Sequence, residues 1–152
     1  MSGSLADLAT TATNDDAVAR RVGEYVSSRV PQGSAVALTT DVAADVTSIL
    51  LSAGDWDVSA VIKFTGGATT TVNWLIGSLS TAPLALDTSG LGRDTRVVGA
   101  AATLFAYTSP QFMVGPARFS LALPTTVYLV ADAEFGVSTA TAFGEIYARR
   151  VR

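Results

Sequence analysis

The sequence predicts an all-β protein, a jelly-roll-like antiparallel β-sandwich with an extended N-terminal arm. Apolar and polar residues alternate in residues 55–65, 125–135 and 142–152, which are also rich in β-branched and aromatic side chains. Such alternation is typical of strands that bury one face. Turn-forming residues recur at intervals of roughly ten residues, as they do in all-β sandwiches and barrels. Together these observations favour a sandwich of roughly eight or nine short strands.

The first half of the chain contains five predicted strands, each between turn-forming residues: Tyr25–Val30 and residues 35–39, 46–51, 55–65 and 70–80. Pro31 to Gly33 ends the first strand, residues 41–45 form a turn, and Gly66-Gly67 ends the strand of Trp56. In the fifth strand the spacing places Val72, Trp74 and Ile76 on one face.

In the second half, residues 95–107 are predicted as a strand or a pair of strands, and three more strands are predicted at residues 117–123, 126–135 and 141–151. Residues 83–93 are weakly patterned and are predicted as a loop, and loops of this length often carry function or an interface. Ser109-Pro110 and Gly115-Pro116 are predicted to bracket a surface turn that displays Phe112 and Met113. That pair is either an exposed apolar contact or part of a loop that covers one end of the fold.

The domain organisation predicted is an N-terminal arm, residues 1–23, and a β-sandwich domain, residues 24–152. The first residues are small, polar and rich in Thr and Asp, and Asn14 is placed to cap a helical turn. The segment has too few apolar residues to fold alone. It is either an arm that becomes ordered against another surface or a frayed terminus.

The composition argues for assembly and against several kinds of chemistry. Nearly half of the 152 residues are apolar and 15% are charged, with no apolar run long enough for a transmembrane helix. We expect the apolar surplus to be buried between subunits, which predicts a homo-oligomer. A net charge of −3 provides no electrostatic driving force for binding nucleic acid. Residues 1–9 do not resemble a signal peptide. We expect no nucleic-acid or membrane partner.

An enzymatic role is not expected. The chain has no histidine and no cysteine, which removes the usual nucleophile–base pairs and zinc sites, and no cofactor is predicted. Two carboxylate pairs, Asp55 with Asp57 and Asp132 with Glu134, each share a strand face. We expect both pairs on solvated outer faces, where a salt bridge to an arginine of a neighbouring subunit is favoured over catalysis. Trp56 and Trp74 are expected in the core and not as sugar-stacking platforms.

The interface candidates are the polar end of the arm, the arginines and the apolar turn pair: Asn14, Asp15, Asp16, Arg20, Arg21, Arg93, Arg96, Phe112, Met113, Arg149, Arg150 and Arg152. Nine of the ten basic residues are arginine, the side chain preferred for pairing with carboxylates at interfaces. The three C-terminal arginines are expected to cap a sheet and to pair across an interface.

Several of these segments resemble a family of small structural proteins of tailed bacteriophages, which occur as stand-alone virion proteins or as C-terminal domains of fibres. The resemblance covers residues 14 to about 81 and 116–152. It is carried by Gly-Asp-Trp-Asp-Val at residues 54–58, by Thr-Thr-Val-Tyr-Leu-Val at residues 125–130 and by the C-terminal Ala-Arg-Arg-Val-Arg. Residues 83–110 fit the family least, which makes them the expected site of partner specificity.

The resemblance implies a non-enzymatic β-sandwich of the virion, often trimeric, assembled in the host cytoplasm. Its partners would be copies of itself and the major capsid protein or another virion protein. A capsid decoration or cement protein is the first hypothesis. A head- or tail-fibre tip that recognises a host receptor is the alternative, with residues 88–96 and 111–115 as the receptor site.

Overall fold

The computed structural model describes residues 17–89, 92–104 and 109–152, and only the backbone of residues 99–104. This part of the chain forms nine β-strands and one short 3₁₀ segment, Gln32–Ser34. The strands are β1 (Tyr25–Val30), β2 (Val36–Ala37), β3 (Ala44–Leu51), β4 (Gly54–Gly66), β5 (Thr71–Ser80), β6 (Asp94–Leu104), β7 (Gln111–Leu121), β8 (Thr125–Gly136) and β9 (Ala140–Arg150).

The strands form two antiparallel sheets packed face to face. Sheet I has the order β1-β9-β4-β7, with the short β2 also pairing with β9, and sheet II has the order β3-β8-β5-β6. Apart from β2, each sheet takes four of eight strands. The chain passes from one sheet to the other at every connection between these eight strands except β5–β6, which stays within sheet II, and this is a jelly-roll arrangement. The predicted fold class is therefore confirmed.

The core lies between the two sheets and follows the strand alternation. In β4 the even-numbered side chains, Trp56, Val58, Ala60, Ile62 and Phe64, are fully buried. The facing strands contribute Leu75, Leu79, Val127 and Leu129, among others. At Gly77 in β5 an added Cβ would lie 2.7 Å from Val114 Cγ2 and 2.9 Å from Ile62 Cγ2, so glycine permits the close approach of the sheets there.

The prediction that Val72, Trp74 and Ile76 share one face of β5 is wrong, because the strand contains a register shift. The pairing of β5 with both neighbours slips between Val72 and Trp74, as at a β-bulge. As a result Val72 is buried in the core, whereas Trp74 lies on the outer face of sheet II and is only half-buried.

The predicted surface turn at Phe112 and Met113 is also wrong, because both residues lie within β7. This strand runs through Gly115-Pro116 at the edge of sheet I, opposite a register shift between Val58 and Ala60 of β4. An edge position and a bulge are where a strand tolerates a proline without an N–H. The Gly-Pro pair therefore marks an irregular strand and not a turn.

The two ends of the sandwich carry different parts of the chain. The terminal end comprises residues 17–24, the β3–β4 turn, the β7–β8 turn and residues 150–152. At the far end, the β4–β5 and β8–β9 turns meet, where the Gly67 N–H donates to the Thr139 carbonyl over 3.0 Å.

Candidate assembly surfaces

The terminal end joins the first described residues to the last strand. The Gly23 N–H donates to the Arg150 carbonyl and the Arg150 N–H donates to the Glu24 carbonyl, each over 2.9 Å. On the other side, the Val151 N–H donates to the Asp55 carbonyl over 3.0 Å. Residues 23–24 and 150–152 are therefore part of the sandwich.

Arg150 is a buried cation with its partners in the same chain. Its side chain is 6% exposed, and Nε lies 2.9 Å from Glu24 Oε2. Nη1 donates to the Ala53 carbonyl over 3.0 Å and Nη2 donates to Ser52 Oγ over 2.5 Å. The sequence interpretation of Arg150 as a surface group for an interface is wrong. In β9 the even-numbered residues face inward, and Arg150 continues the row of Ile146 and Ala148.

Asp55 is buried as well, against the prediction of a solvated outer face. Its Oδ2 accepts a hydrogen bond from Arg118 Nη2 over 2.9 Å and another from Arg152 Nε. The hydrogen bond from Arg152, followed by that from Arg118, holds the pKa of the Asp55 carboxyl well below its usual range. These contacts occur within one chain. Asp57, two residues later, is exposed opposite the exposed Arg149.

The second predicted carboxylate pair is not solvated either. Asp132 is buried on the outer face of sheet II, and its Oδ1 has no hydrogen-bond partner among the described residues. Burial raises the pKa of Asp132, and the nearby Asp41 adds to the shift. Glu134 is half-buried opposite Trp74.

An apolar groove opens at the terminal end. It has a volume of about 310 Å³ and is lined by Ala19, Leu50 and Pro124, together with Arg20, Glu24 and Ser52. Leu50 is 66% exposed and Leu123, next to Pro124, is 72% exposed. Large apolar side chains exposed around a groove are typical of a contact surface.

Three of the interface candidates in the arm, Asn14, Asp15 and Asp16, lie outside the described residues. Arg20 and Arg21 are exposed in the turn before β1, where the Arg20 N–H donates to Glu24 Oε2 over 2.7 Å. Their predicted interface role stays a prediction, as does the boundary at residue 23.

The other sequence candidates are spread over both sheets. Arg93 pairs with Asp87 over 3.3 Å and its guanidinium carbon lies 4.0 Å from the centre of the Phe119 ring. Arg96 lies over the ring of Trp74 at 4.9 Å. Trp56 is fully buried, as predicted, but the half-buried Trp74 lies outside the core.

Phe112 and Met113 point to opposite faces of β7. Phe112 stacks on Phe64 with ring centres 5.7 Å apart and packs against the core. Met113 is 52% exposed on the outer face of sheet I. Only Met113 remains available as an apolar contact.

A second groove, which the sequence interpretation missed, lies on the outer face of sheet I. We call it the Lys63 groove; it has a volume of about 250 Å³ and is lined by Arg29, Val61, Lys63, Phe143 and Glu145, with Val30, Gln111 and Gly144. Arg29 lies on β1, Glu145 and Phe143 on β9, and Val61 and Lys63 on β4. The alternation of these strands contained the signal, because the odd-numbered residues of all three face outward.

Among the residues that the structure describes, no group of three or more histidine, cysteine, aspartate or glutamate side chains is placed to hold a metal ion. In the same part of the chain, no helix is long and apolar enough to span a bilayer.

Comparison with known proteins gives remote structural likenesses only. No family model matches the sequence, and no curated protein sequence does. The chain is similar to VP2 in the infectious bursal disease virus subviral particle, with a TM-score of 0.42, 12% identity and coverage of 84% of this chain and 30% of that one. For infectious bursal disease virus strain Gx the TM-score is 0.40 at 14% identity, covering 82% of this chain and 28% of that one. The chain thus spans less than a third of either structure.

Proposed function

We propose that this protein is a non-enzymatic structural protein of a tailed-bacteriophage virion, and that it decorates the assembled capsid as a homotrimer. The observation that carries the proposal is the apolar groove at the terminal end, with Leu50 and Leu123 exposed beside it. Exposed apolar side chains grouped around a groove mark protein–protein contact sites, whereas single ones such as Val137 are common on any protein surface.

The fold and the sequence resemblance support the same proposal. The jelly roll is an architecture used by viral capsid domains, although lectins and cupins use it too, and a fold alone does not define a function. The resemblance to small phage virion proteins covers residues 14 to about 81 and 116–152, which contain β1–β5, the second half of β7, and β8 and β9. These strands supply much of the core and the terminal end.

The proposed mechanism is thermodynamic linkage. A protein that binds only the assembled shell stabilises that shell by mass action, because shell disassembly then requires its release. The terminal end would face the shell, and residues 1–23 would act as the arm that reaches neighbouring copies.

The test is co-sedimentation of the purified protein with capsids that lack it. We expect a trimer by native mass and saturable binding to the capsids. The double variant Leu50→Ser, Leu123→Ser should lose binding while keeping its β-sheet circular dichroism signal. Val137→Ser, at an equally exposed valine of the far end, is the matched control and should bind normally. A monomer that ignores capsids would overturn the proposal.

A fibre tip that binds a host receptor is the second candidate, favoured by the half-exposed Trp74 beside Arg96 on sheet II. An aromatic face next to a guanidinium is suited to a polar surface ligand. In this case the protein would bind host cells and not capsids, and Trp74→Ala would abolish cell binding. Unchanged cell binding by that variant would exclude this site.

A further inference from the structure

The Lys63 groove combines positive charge with apolar side chains. Arg29 and Lys63 form no ion pair with any residue that the structure describes, and Glu145 is the one carboxylate among the lining side chains. Phe143 and Val61 are half-buried in the same groove. The groove therefore has a net charge of +1 beside an apolar surface, which suits an acidic segment with some apolar residues.

The chain itself contains such a segment. Residues 1–16 carry the carboxylates of Asp7, Asp15 and Asp16, no lysine or arginine, and the apolar Leu5 and Leu8. We propose that residues 1–16 of a second copy bind in the Lys63 groove, where Asp15 and Asp16 pair with Lys63 and Arg29. This inference deepens the proposed self-assembly and rests on it.

The distances along the sandwich require that the two aspartates come from another copy. Ala17 lies against Gly23, which is hydrogen-bonded to Arg150, and Arg150 is paired with Trp56 of β4. Lys63 is seven residues further along β4, about 23 Å away at 3.3 Å per residue. Asp15 and Asp16 extend at most about 7 Å from residue 17. The two side chains do not bridge the remaining distance within one copy.

Each contact of this kind is weak when it is exposed to solvent. In a closed oligomer every copy donates one segment and accepts one, so the contacts act together and their effective concentration is high. The arm would thus contribute to the assembly without a large interface of its own.

The sequence provides a selective test, because Lys63 is the only lysine. A zero-length carbodiimide reagent, which joins an amine to a nearby carboxylate, is applied to an equal mixture of ¹⁴N- and ¹⁵N-labelled full-length protein. We expect covalent dimers in which a mixed-isotope peptide links Lys63 to Asp15 or Asp16. Lys63→Arg keeps the charge but should lose this cross-link completely.

Charge variants then separate docking from chance collision. Arg29→Glu leaves the Lys63 amine and both aspartates in place and should reduce the yield of cross-linked dimer at least roughly fivefold. Arg149→Glu, on the same face but outside the groove, should leave that yield unchanged. Glu145→Gln should raise the yield. Links confined to single copies, or an unchanged yield in Arg29→Glu, would overturn the inference. Because no capsid is present, these results are independent of the decoration assay.

Discussion

The Arg150 guanidinium carbon lies 4.4 Å from the centre of the Trp56 ring, in the interior of the terminal end. The Trp56 indole N–H donates to the Ser52 carbonyl over 2.9 Å, while Arg150 bonds Ser52 Oγ and Glu24. A cation over a desolvated indole is a favourable contact. The pair therefore connects β9 to β4, and through Glu24 it also holds the segment that precedes β1.

The ion pair of Arg150 with Glu24 should be far more important for stability than the pair of Asp55 with Arg118, in which the arginine is exposed. We expect Glu24→Gln to lower the free energy of unfolding by about 3 kcal/mol, because it leaves a buried cation without its carboxylate. Arg118→Gln, which removes the exposed partner of Asp55, should cost less than about 1 kcal/mol. Urea unfolding of both variants checks this, and equal losses would contradict it.

Asp55 should stabilise the fold at neutral pH and lose this effect in acid. Its pKa is depressed in the folded state by Arg152 and Arg118, so its contribution is present above the unfolded-state value of about 4 and is lost as pH falls below it. Asp55→Asn should therefore lower the Tm at pH 7 and do so much less at pH 2. Thermal unfolding at several pH values tests this. An equal fall in Tm at both pH values would indicate that the Asp55 side chain stabilises the fold without being ionised.

The effect of Asp132 on stability should have the opposite pH dependence. Burial raises its pKa, so the folded state favours the protonated form and stability is lost as pH rises from about 4 through the folded-state pKa. We expect Asp132→Asn to raise the Tm at pH 7 by roughly 2–4 °C, a change that corresponds to ~1 kcal/mol in a domain of this size. At pH 3 the gain should be absent. Asp57→Asn, at an exposed carboxylate, is the control, and a similar gain in that variant would refute the explanation.

The two tryptophans should differ in their accessibility to iodide. Trp56 is fully buried and Trp74 is half-buried on an outer face. The variant Trp74→Phe, which retains Trp56, should emit at shorter wavelength and resist quenching. Trp56→Phe, which retains Trp74, should be quenched readily. Equal Stern–Volmer constants would show that one of the two placements is wrong.

The fold class followed from local patterns, because a half-buried strand repeats its environment every second residue. The predicted strands of Trp56, Tyr128 and Ile146 differ from β4, β8 and β9 by a residue or two at each end. The pattern failed where the repeat is broken. The bulge before Trp74 shifts the face of every later residue in β5, and the irregular edge strand at Pro116 resembles a turn.

The candidate site was harder to predict than the fold. Whether Arg150 or Asp55 is buried depends on which strands pair with β9 and β4, and such pairings link residues far apart in sequence. Arg29, Lys63 and Phe143 likewise form a groove only when β1, β9 and β4 are neighbours. Sequence alternation identifies an outward-facing residue, but the strand order decides what lies beside it.

The separation of the two ends of the sandwich has a practical consequence. Val137 and Ser138, in the exposed β8–β9 turn of the far end, have φ values of 49° and 86°, and this turn lies at the opposite end of the sandwich from residues 17–24 and 150–152. A short foreign loop inserted there would leave the contacts of Arg150 and Asp55 intact. If the terminal end binds the shell, each copy would present the inserted epitope outward, and the particle would become a multivalent display scaffold.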